Sequence, residues 1–429
     1  MNIWISASIY LLYRVIRFLL HTIQNQILWK LNGVNKHLKE ISTNALPTLD
    51  DCQVLNILFR KKLIEDGDIT SANDFIWSHN KFVKAKDHLA HDPNWTLYTV
   101  DHEYAYFVLM PKPWPCYHAR EAPFVFLRQY KDAMKLARMP VRAFCRFADK
   151  SLPEACGPVV LYSNAARSGS TLLTRVMQVS EDRIACFGEP DAFTNLTIFV
   201  QRGYIEEELE IAMLKSLFKY YCKTQKPGQT YFLKIPASCN RFAPLVKKAM
   251  PHVKHMYTSR RDTCRVLTSL EKLFRIAIGG DVLCFLWKYN PELACQFVST
   301  GGYEFKLCRR FGLEDCLDMA IISHVSSWYQ YHRNRGLFDI PIIYYEDLMA
   351  NKRETLREVF KICELPYDEL IEEALKGFQT DSQGGTLVGR DNLKSVEYTQ
   401  MDERRVKKMN DMCDQLGVPH IEIPRTANP

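Results

Sequence analysis

The residues of this chain best suited to binding an anion form one short segment, 167–171, which reads Arg-Ser-Gly-Ser-Thr. An apolar run at 159–162 precedes the segment, and apolar residues with helical spacing follow it at 172–177. A strand, a loop of small residues and a helix N-terminus together point backbone N–H groups and the positive end of a helix dipole at a phosphate-like ligand. We therefore expect an anion to be bound by Arg167, Ser168, Gly169, Ser170, Thr171 and Leu172.

The segment differs from the loop that binds nucleoside triphosphates. That loop ends in Gly-Lys-Ser or Gly-Lys-Thr, whereas Ser170 follows Gly169 here and no lysine occupies the required position. The pattern therefore argues against an ATPase, a GTPase or a P-loop kinase. An ordinary strand-to-helix turn, in which Gly and Ser serve only the backbone geometry, stays open as the alternative.

Other charged residues follow predicted strands of the same region. From residue 156 onward short apolar runs alternate with helical patterns, which is typical of an α/β fold with a parallel sheet between two layers of helices. Ligands bind such sheets at the carboxyl ends of the strands. There the sequence places Glu189, Lys234 and Arg261, with Ser269 on the helix after Arg261. We expect strands at 159–162, 184–187, 231–235, 254–259 and 340–345.

Three of these segments resemble motifs of the sulfotransferases that use 3′-phosphoadenosine 5′-phosphosulfate. Residues 167–173 resemble the loop that binds the 5′-phosphosulfate, in the form found in the carbohydrate and tyrosyl-protein branches of that family. Residues 261–269 are similar to its 3′-phosphate motif, and residues 342–348 to its late Tyr-Glu-Asp-Leu strand. The motifs occur in the family's order across residues 156–365, which is about half of the chain.

The resemblance implies a role for each matching residue. Arg167 and the loop after it would bind the phosphosulfate, and Arg261 with Ser269 would bind the 3′-phosphate. Glu189 would be the general base, with Asp191 as the second candidate. Lys234 and Arg167 would stabilise charge on the leaving phosphate, and no metal would be required. A later glycine-rich segment is similar in position to the loop that closes over the donor, which adds Gly384, Gly385 and Arg390.

The predicted function is therefore transfer of a sulfuryl group from this donor to a hydroxyl or amine, on a small molecule or a glycan. One departure keeps a second reading open: Thr263 and Cys264 stand where the family's 3′-phosphate motif usually has Pro followed by a basic residue. The chain could then be an inactive nucleotide-binding or scaffold protein with the same fold. A P-loop kinase is a third and weaker alternative.

The first part of the chain predicts contact with a membrane. Residues 3–29 are mostly apolar, but Arg14, Arg17 and several polar residues interrupt them, so we expect an amphipathic helix in the membrane interface or a signal anchor. A helix buried on the body of the protein is the alternative. The net charge of +7 suits an anionic ligand or lipid surface. No Lys/Arg-rich stripe with interleaved aromatics occurs, so we expect no nucleic-acid partner.

The topology signals disagree. Basic residues after the apolar start favour a cytosolic body, whereas glycosylation sequons at Asn94 and Asn195 favour a lumenal one. We expect a Golgi or ER membrane and keep its cytoplasmic face as the alternative. The 14 cysteines show no zinc spacing, so we expect no metal site.

The predicted domains are a membrane-associating segment at 1–44, a mostly helical extension at 45–155 and a sulfotransferase-like domain at 156–425. Within the extension we expect helix at 40–80, a strand pair at 96–110 and a helix at 124–148 that is broken near Pro140.

Overall fold

The computed structural model describes residues 3–43, 50–62, 69–117, 122–277, 279–297, 304–379, 382–384 and 389–423. In that part of the chain, ten strands form two five-stranded sheets, and helices pack around both. The strands are β1 (Asp51–Arg60), β2 (Phe75–Lys84), β3 (Trp95–Val100), β4 (Tyr104–Leu109), β5 (Lys135–Pro140), β6 (Val159–Asn164), β7 (Ile184–Gly188), β8 (Thr230–Lys234), β9 (Lys254–Ser259) and β10 (Ile343–Tyr344). The α-helices are α1 (Ile3–Ile23), α2 (Trp29–Leu31), α3 (Val34–Thr43), α4 (Val125–Asp132), α5 (Val141–Ser151), α6 (Ser170–Met177), α7 (Asp191–Gln201), α8 (Glu207–Cys222), α9 (Ala243–Ala249), α10 (Thr263–Ala277), α11 (Gly280–Trp287), α12 (Pro291–Phe297), α13 (Phe305–Phe311), α14 (Cys316–Asn334), α15 (Tyr345–Ala350), α16 (Lys352–Ile362), α17 (Tyr367–Lys376), α18 (Arg390–Lys394) and α19 (Glu403–Leu416).

The second sheet is parallel, with the strand order β10-β9-β6-β8-β7. Along β6 the side chains alternate between two apolar clusters: Leu161 lies in one, and Val160 and Tyr162 lie in the other. Because successive side chains of a strand point to opposite faces, both faces of this sheet are covered. The predicted α/β fold with three layers and a central parallel sheet is confirmed.

The first sheet is antiparallel, with the order β2-β1-β5-β4-β3. The predicted strand pair at 96–110 is confirmed as β3 and β4, joined by a turn in which the carboxylate of Asp101 accepts the N–H of Glu103 and of Tyr104 at 2.7 and 2.6 Å. Such an Asp side chain satisfies turn N–H groups that no strand neighbour can reach.

Two helix predictions in the same region are wrong. Strands β1 and β2 occupy most of the described part of 50–80, where we expected helix, and β5 interrupts the helix expected at 124–148. Apolar residues are so dense in β1 that its pattern fits either period, and pairing with β2 and β5 decides in favour of a strand. The extension is thus built on a sheet, while the first 43 residues are helical in their described part.

The two sheets share one apolar cluster. Leu97 and Phe107 of the antiparallel sheet belong to the same cluster as Phe187 and Leu233 of the parallel sheet, with Leu214 of α8. The division at residues 44 and 155 stays a prediction. No helix in the described residues is long and apolar enough to cross a membrane.

Candidate active site

A cavity of about 780 Å³ lies at the carboxyl ends of the parallel strands. The loop after β6 forms one wall, and Glu189 after β7 and Arg260 after β9 contribute to others. Part of the cavity is covered by Phe124, Phe126 and Leu127 of the N-terminal extension. Three elements that are far apart in sequence therefore meet here, as expected at the carboxyl edge of such a sheet.

The loop after β6 has the geometry of an anion cradle. Helix α6 begins at Ser170, and Gly169 before it adopts φ +80°. A Cβ at Gly169 would lie 2.4 Å from Cδ2 of Tyr345, so the ring of Tyr345 closes against the backbone there. Arg167 also has a positive φ, +62°, a conformation that is costly for a side chain other than Gly and that is concentrated at functional sites.

Arg167 joins two of the predicted motifs. Its Nε–H donates to Oγ of Ser269, at 2.7 Å, and Nη1 donates to Oε1 of Gln383, at 2.9 Å. Ser269 lies on α10, about two helical turns after the start of that helix. The structure thus brings the predicted residues Arg167 and Ser269 into direct contact at the cavity.

Lys234 connects the predicted base to the loop. The ammonium group is fully buried and lies 2.5 Å from Oε1 of Glu189, and it donates to Oγ1 of Thr171 at 2.9 Å. Burial lowers the pKa of Lys234, and the neighbouring Glu189 carboxylate acts in the opposite direction. Glu189 has φ +54°, and its N–H donates to the carbonyl of Lys234 at 2.9 Å. A proton acceptor, a buried cation and a hydroxyl therefore lie together.

Asp191, the second candidate base, is also in the cavity wall but has other bonds. The carboxylate accepts the N–H of Thr70 at 2.9 Å from the N-terminal extension. Burial raises the pKa of Asp191 to about 7, and the nearby Lys62 lowers it only in part. The Asp191 carboxylate holds the backbone of Thr70, whereas Glu189 contacts Lys234 beside the loop, and this geometry favours Glu189 for the role.

Arg261 is a predicted residue that the structure does not bring to the cavity. The guanidinium pairs with both carboxylate oxygens of Asp347, at 2.7 Å each, on the exposed surface. The preceding residue, Arg260, lines the cavity instead and lies over the ring of Tyr345, 4.7 Å from its centroid. The sequence carried a signal for this residue, since two arginines follow β9, but the resemblance matched only the second.

The glycine-rich segment lines the cavity with other residues than those predicted. Gly384 is exposed and is not in the cavity wall, Gly385 lies outside the described residues, and so does the side chain of Arg390. Ser382 and Gln383 line the cavity instead. Residues that the sequence analysis did not select also line it: Lys272, Leu393, Lys394 and Tyr398.

Asn195, the second predicted glycosylation site, is buried within α7. Its amide donates to the carbonyl of Thr70 at 2.8 Å. A glycan on Asn195 would therefore not fit this fold. Within the described residues, no group of three His, Cys, Asp or Glu side chains lies close enough together to hold a metal ion.

Comparison with solved structures finds sulfotransferases, the family that the motifs resemble. Sulfotransferase STF9 from Mycobacterium avium is 13% identical, with 66% of this chain and 82% of that chain covered and a TM-score of 0.34. The sulfotransferase domain of the Synechococcus PCC 7002 olefin synthase is 14% identical, with 62% and 98% covered and a TM-score of 0.30. No protein-family model and no curated protein matches the sequence. Because both TM-scores are below 0.5, we base the proposal below on the site itself.

Proposed function

We propose that the protein is a sulfotransferase that moves a sulfuryl group from 3′-phosphoadenosine 5′-phosphosulfate to a hydroxyl or amine. One observation carries the proposal: Gln383 connects two sets of contacts at a single cavity. Arg167 donates to both Ser269 and Gln383. Gln383 donates to Thr171 at 3.5 Å, and Lys234 links Thr171 to Glu189. The connected set combines an anion cradle with a buried cation and a proton acceptor, which is the minimum that this reaction needs from a protein.

The charge of the cavity wall fits an anionic donor. Among the described residues, five basic side chains line the cavity, against the two acidic residues Glu189 and Asp191. Arginine binds phosphate with two parallel hydrogen bonds, and a buried lysine acts as a point charge. The basic residues are Arg167, Arg260, Arg265, Lys272 and Lys394.

In the proposed reaction the acceptor oxygen or nitrogen attacks the sulfur atom while the bond from sulfur to the 5′-phosphate oxygen breaks. Glu189 takes the acceptor's proton, and the products are the sulfated acceptor and 3′-phosphoadenosine 5′-phosphate. Lys234 lies between Glu189 and the loop, so it is placed to stabilise negative charge that develops on the leaving phosphate. Arg167 would supply a second, permanent positive charge.

The acceptor would enter beside Phe124, whose ring lies 5.5 Å from Nζ of Lys234. Phe126 and Leu127 continue this apolar wall of the cavity. A small molecule or a glycan could present its hydroxyl there, and the apolar wall favours an acceptor with an apolar surface next to the reacting group.

The donor site is tested by calorimetric titration with 3′-phosphoadenosine 5′-phosphate, with AMP and with ATP plus magnesium. We expect micromolar binding of the bisphosphate and at least tenfold weaker binding of AMP. Arg260→Ala should weaken binding of the bisphosphate. Arg261→Ala removes a surface ion pair and should change the affinity for the bisphosphate little. If the folded protein does not bind the bisphosphate, the proposal is wrong, and tight binding of ATP would indicate a kinase.

A scaffold protein that binds the donor without reacting is the second candidate. Arg261 pairs with Asp347 outside the cavity, so the arginine matched to the family's 3′-phosphate motif is not at the proposed donor site. This position favours the scaffold protein. Sulfate transfer from labelled donor to an acceptor library separates the two. For an enzyme, Glu189→Gln should abolish transfer and leave bisphosphate affinity within a few-fold. Binding without transfer to any acceptor class would favour the scaffold.

A further inference from the structure

The outward face of α1 carries many exposed large apolar side chains. The exposed fraction is 61% for Leu12, 67% for Phe18 and, just after the helix, 78% for Leu31. An apolar surface of this extent is uncommon on a protein that works alone in water and indicates an interaction site. Two further exposed apolar residues follow the helix, Ile27 and Leu28. The other exposed members on α1 are Trp4, Ile5, Ile9, Leu11, Val15, Ile16, Leu19, Leu20 and Ile23.

The inward face of α1 is fixed to the body of the protein. The hydroxyl of Tyr13 donates to the carbonyl of Asn73 at 2.7 Å. Arg17 donates to the carbonyls of Phe75 and Ala72, both at 2.9 Å, and to Oδ1 of Asn73 at 2.7 Å. These partly buried polar contacts hold the helix on the start of β2 and the turn before it, so its apolar outward face cannot turn inward without breaking them.

The apolar surface extends beyond the helix. The rings of Trp4 and Phe285 lie 5.3 Å apart, and Phe285 lies 5.3 Å from Tyr289, which is 76% exposed. Two segments that are distant in sequence thus contribute to one surface, which we call the docking face: the outward side of α1 with Phe285 and Tyr289.

The positive charge beside the docking face indicates an anionic partner. Residues 1–39 contain five Lys or Arg residues and no Asp or Glu. Lys30 and Lys39 are exposed, while Lys36 lies 3.9 Å from Glu40. Cations next to apolar side chains match an anionic lipid surface, which offers headgroups and acyl chains together. A second copy of the chain would instead bring like charges together.

We propose that the docking face lies flat in the interface of an anionic bilayer, with α1 parallel to the membrane. The contacts of Tyr13 and Arg17 would break if α1 crossed the bilayer, and no described helix meets the requirements for a span. Trp4 and Tyr289 suit the headgroup region, where amphipathic rings concentrate. This inference does not depend on the proposed reaction.

The proposal also places the cavity near the membrane. Ala7 and Tyr10 of α1 belong to the same apolar cluster as Phe124, Leu270 and Phe274, and these last three line the cavity. Because α1 packs on that cluster, the bilayer would hold the cavity in a fixed orientation.

Flotation of the full-length protein with lipid vesicles tests the docking face. We expect binding to vesicles of phosphatidylcholine mixed with phosphatidylserine, and roughly tenfold weaker binding to phosphatidylcholine alone or in high salt. Leu12→Ser with Phe18→Ser should weaken binding to both kinds of vesicle, and so should Tyr289→Ser. All three side chains are exposed, so the variants should keep the wild-type circular dichroism spectrum.

A charge pair provides the matched control. Lys30→Glu with Lys39→Glu should weaken binding to the anionic vesicles and leave binding to phosphatidylcholine unchanged. Lys361→Glu with Lys407→Glu changes the net charge by the same amount, at two exposed lysines of the C-terminal half. This control variant should bind both kinds of vesicle like the wild type. Absence of flotation would overturn the proposal. So would resistance to extraction by alkaline carbonate, which indicates a spanning helix. A third outcome would assign the docking face to a second copy of the chain. In that case the wild type would not bind vesicles and would be a dimer by light scattering, and Leu12→Ser with Phe18→Ser would be a monomer.

Discussion

Gly169 adopts φ +80° directly against the ring of Tyr345, so both its backbone conformation and the space around it exclude a side chain. We expect Gly169→Ala to lower the free energy of unfolding by about 2 kcal/mol or more, since the left-handed backbone alone costs about 1 kcal/mol and the overlap with Tyr345 adds to it. The displaced loop should also bind 3′-phosphoadenosine 5′-phosphate at least tenfold more weakly, as calorimetry would show.

Gly203 provides the control for that substitution. It has φ +77°, but a Cβ there would meet nothing within 4 Å. Gly203→Ala should therefore cost only the backbone term, about 1 kcal/mol, and leave ligand affinity unchanged. Equal losses of stability and equal affinities in the two variants would show that the contact with Tyr345 is unimportant.

The raised pKa of Asp191 predicts that the stability of the protein depends on pH. Burial raises the pKa of Asp191 from 3.8 to about 7, so the folded protein holds a proton that the unfolded chain releases. The contribution of Asp191 to stability therefore falls as the pH rises through the window from about 4 to 7, by a few kcal/mol at most. Urea unfolding at several pH values should show this fall in the wild type and a flatter profile in Asp191→Asn. A steeper fall in the variant would contradict the assignment.

At the scale of elements, α10 holds the segment at 393–399, which contributes to the cavity wall. The carboxylate of Glu271 is fully buried and accepts the N–H and the hydroxyl of Thr399 at 2.9 Å each, next to Leu393 and Tyr398 of the wall. Glu271→Gln removes the charge from these bonds, so we expect a loss of about 1–3 kcal/mol in stability and weaker donor binding. Faster hydrogen exchange at 396–400 would locate the effect. Glu397→Gln, at an exposed position of the same segment, should change none of these quantities.

At the scale of the whole molecule, one apolar cluster connects the two sheets through α8. Leu214 is fully buried in that helix, and Leu214→Ala should cost roughly 2–5 kcal/mol. Because the cluster includes residues of both sheets, we expect the slowest amides of β4 and β6 to exchange faster by similar factors. Lys215→Ala, on the exposed side of α8, is the control. Acceleration in β6 alone would show that the antiparallel sheet unfolds independently.

The sequence by itself predicted the parallel sheet and the loop after β6 that forms one wall of the cavity. Strand, loop and helix are adjacent at 159–177, so local spacing is enough to place Gly169 before α6. Glu189 follows β7 and Lys234 ends β8, and the carboxyl ends of these parallel strands must meet. The tertiary structure decided the rest. Pairing with distant strands made β1 a strand, and contacts with Asp347 and Tyr345 turned Arg261 outward and Arg260 into the cavity. These outcomes depend on partners far away in the chain, whose positions local periodicity does not contain.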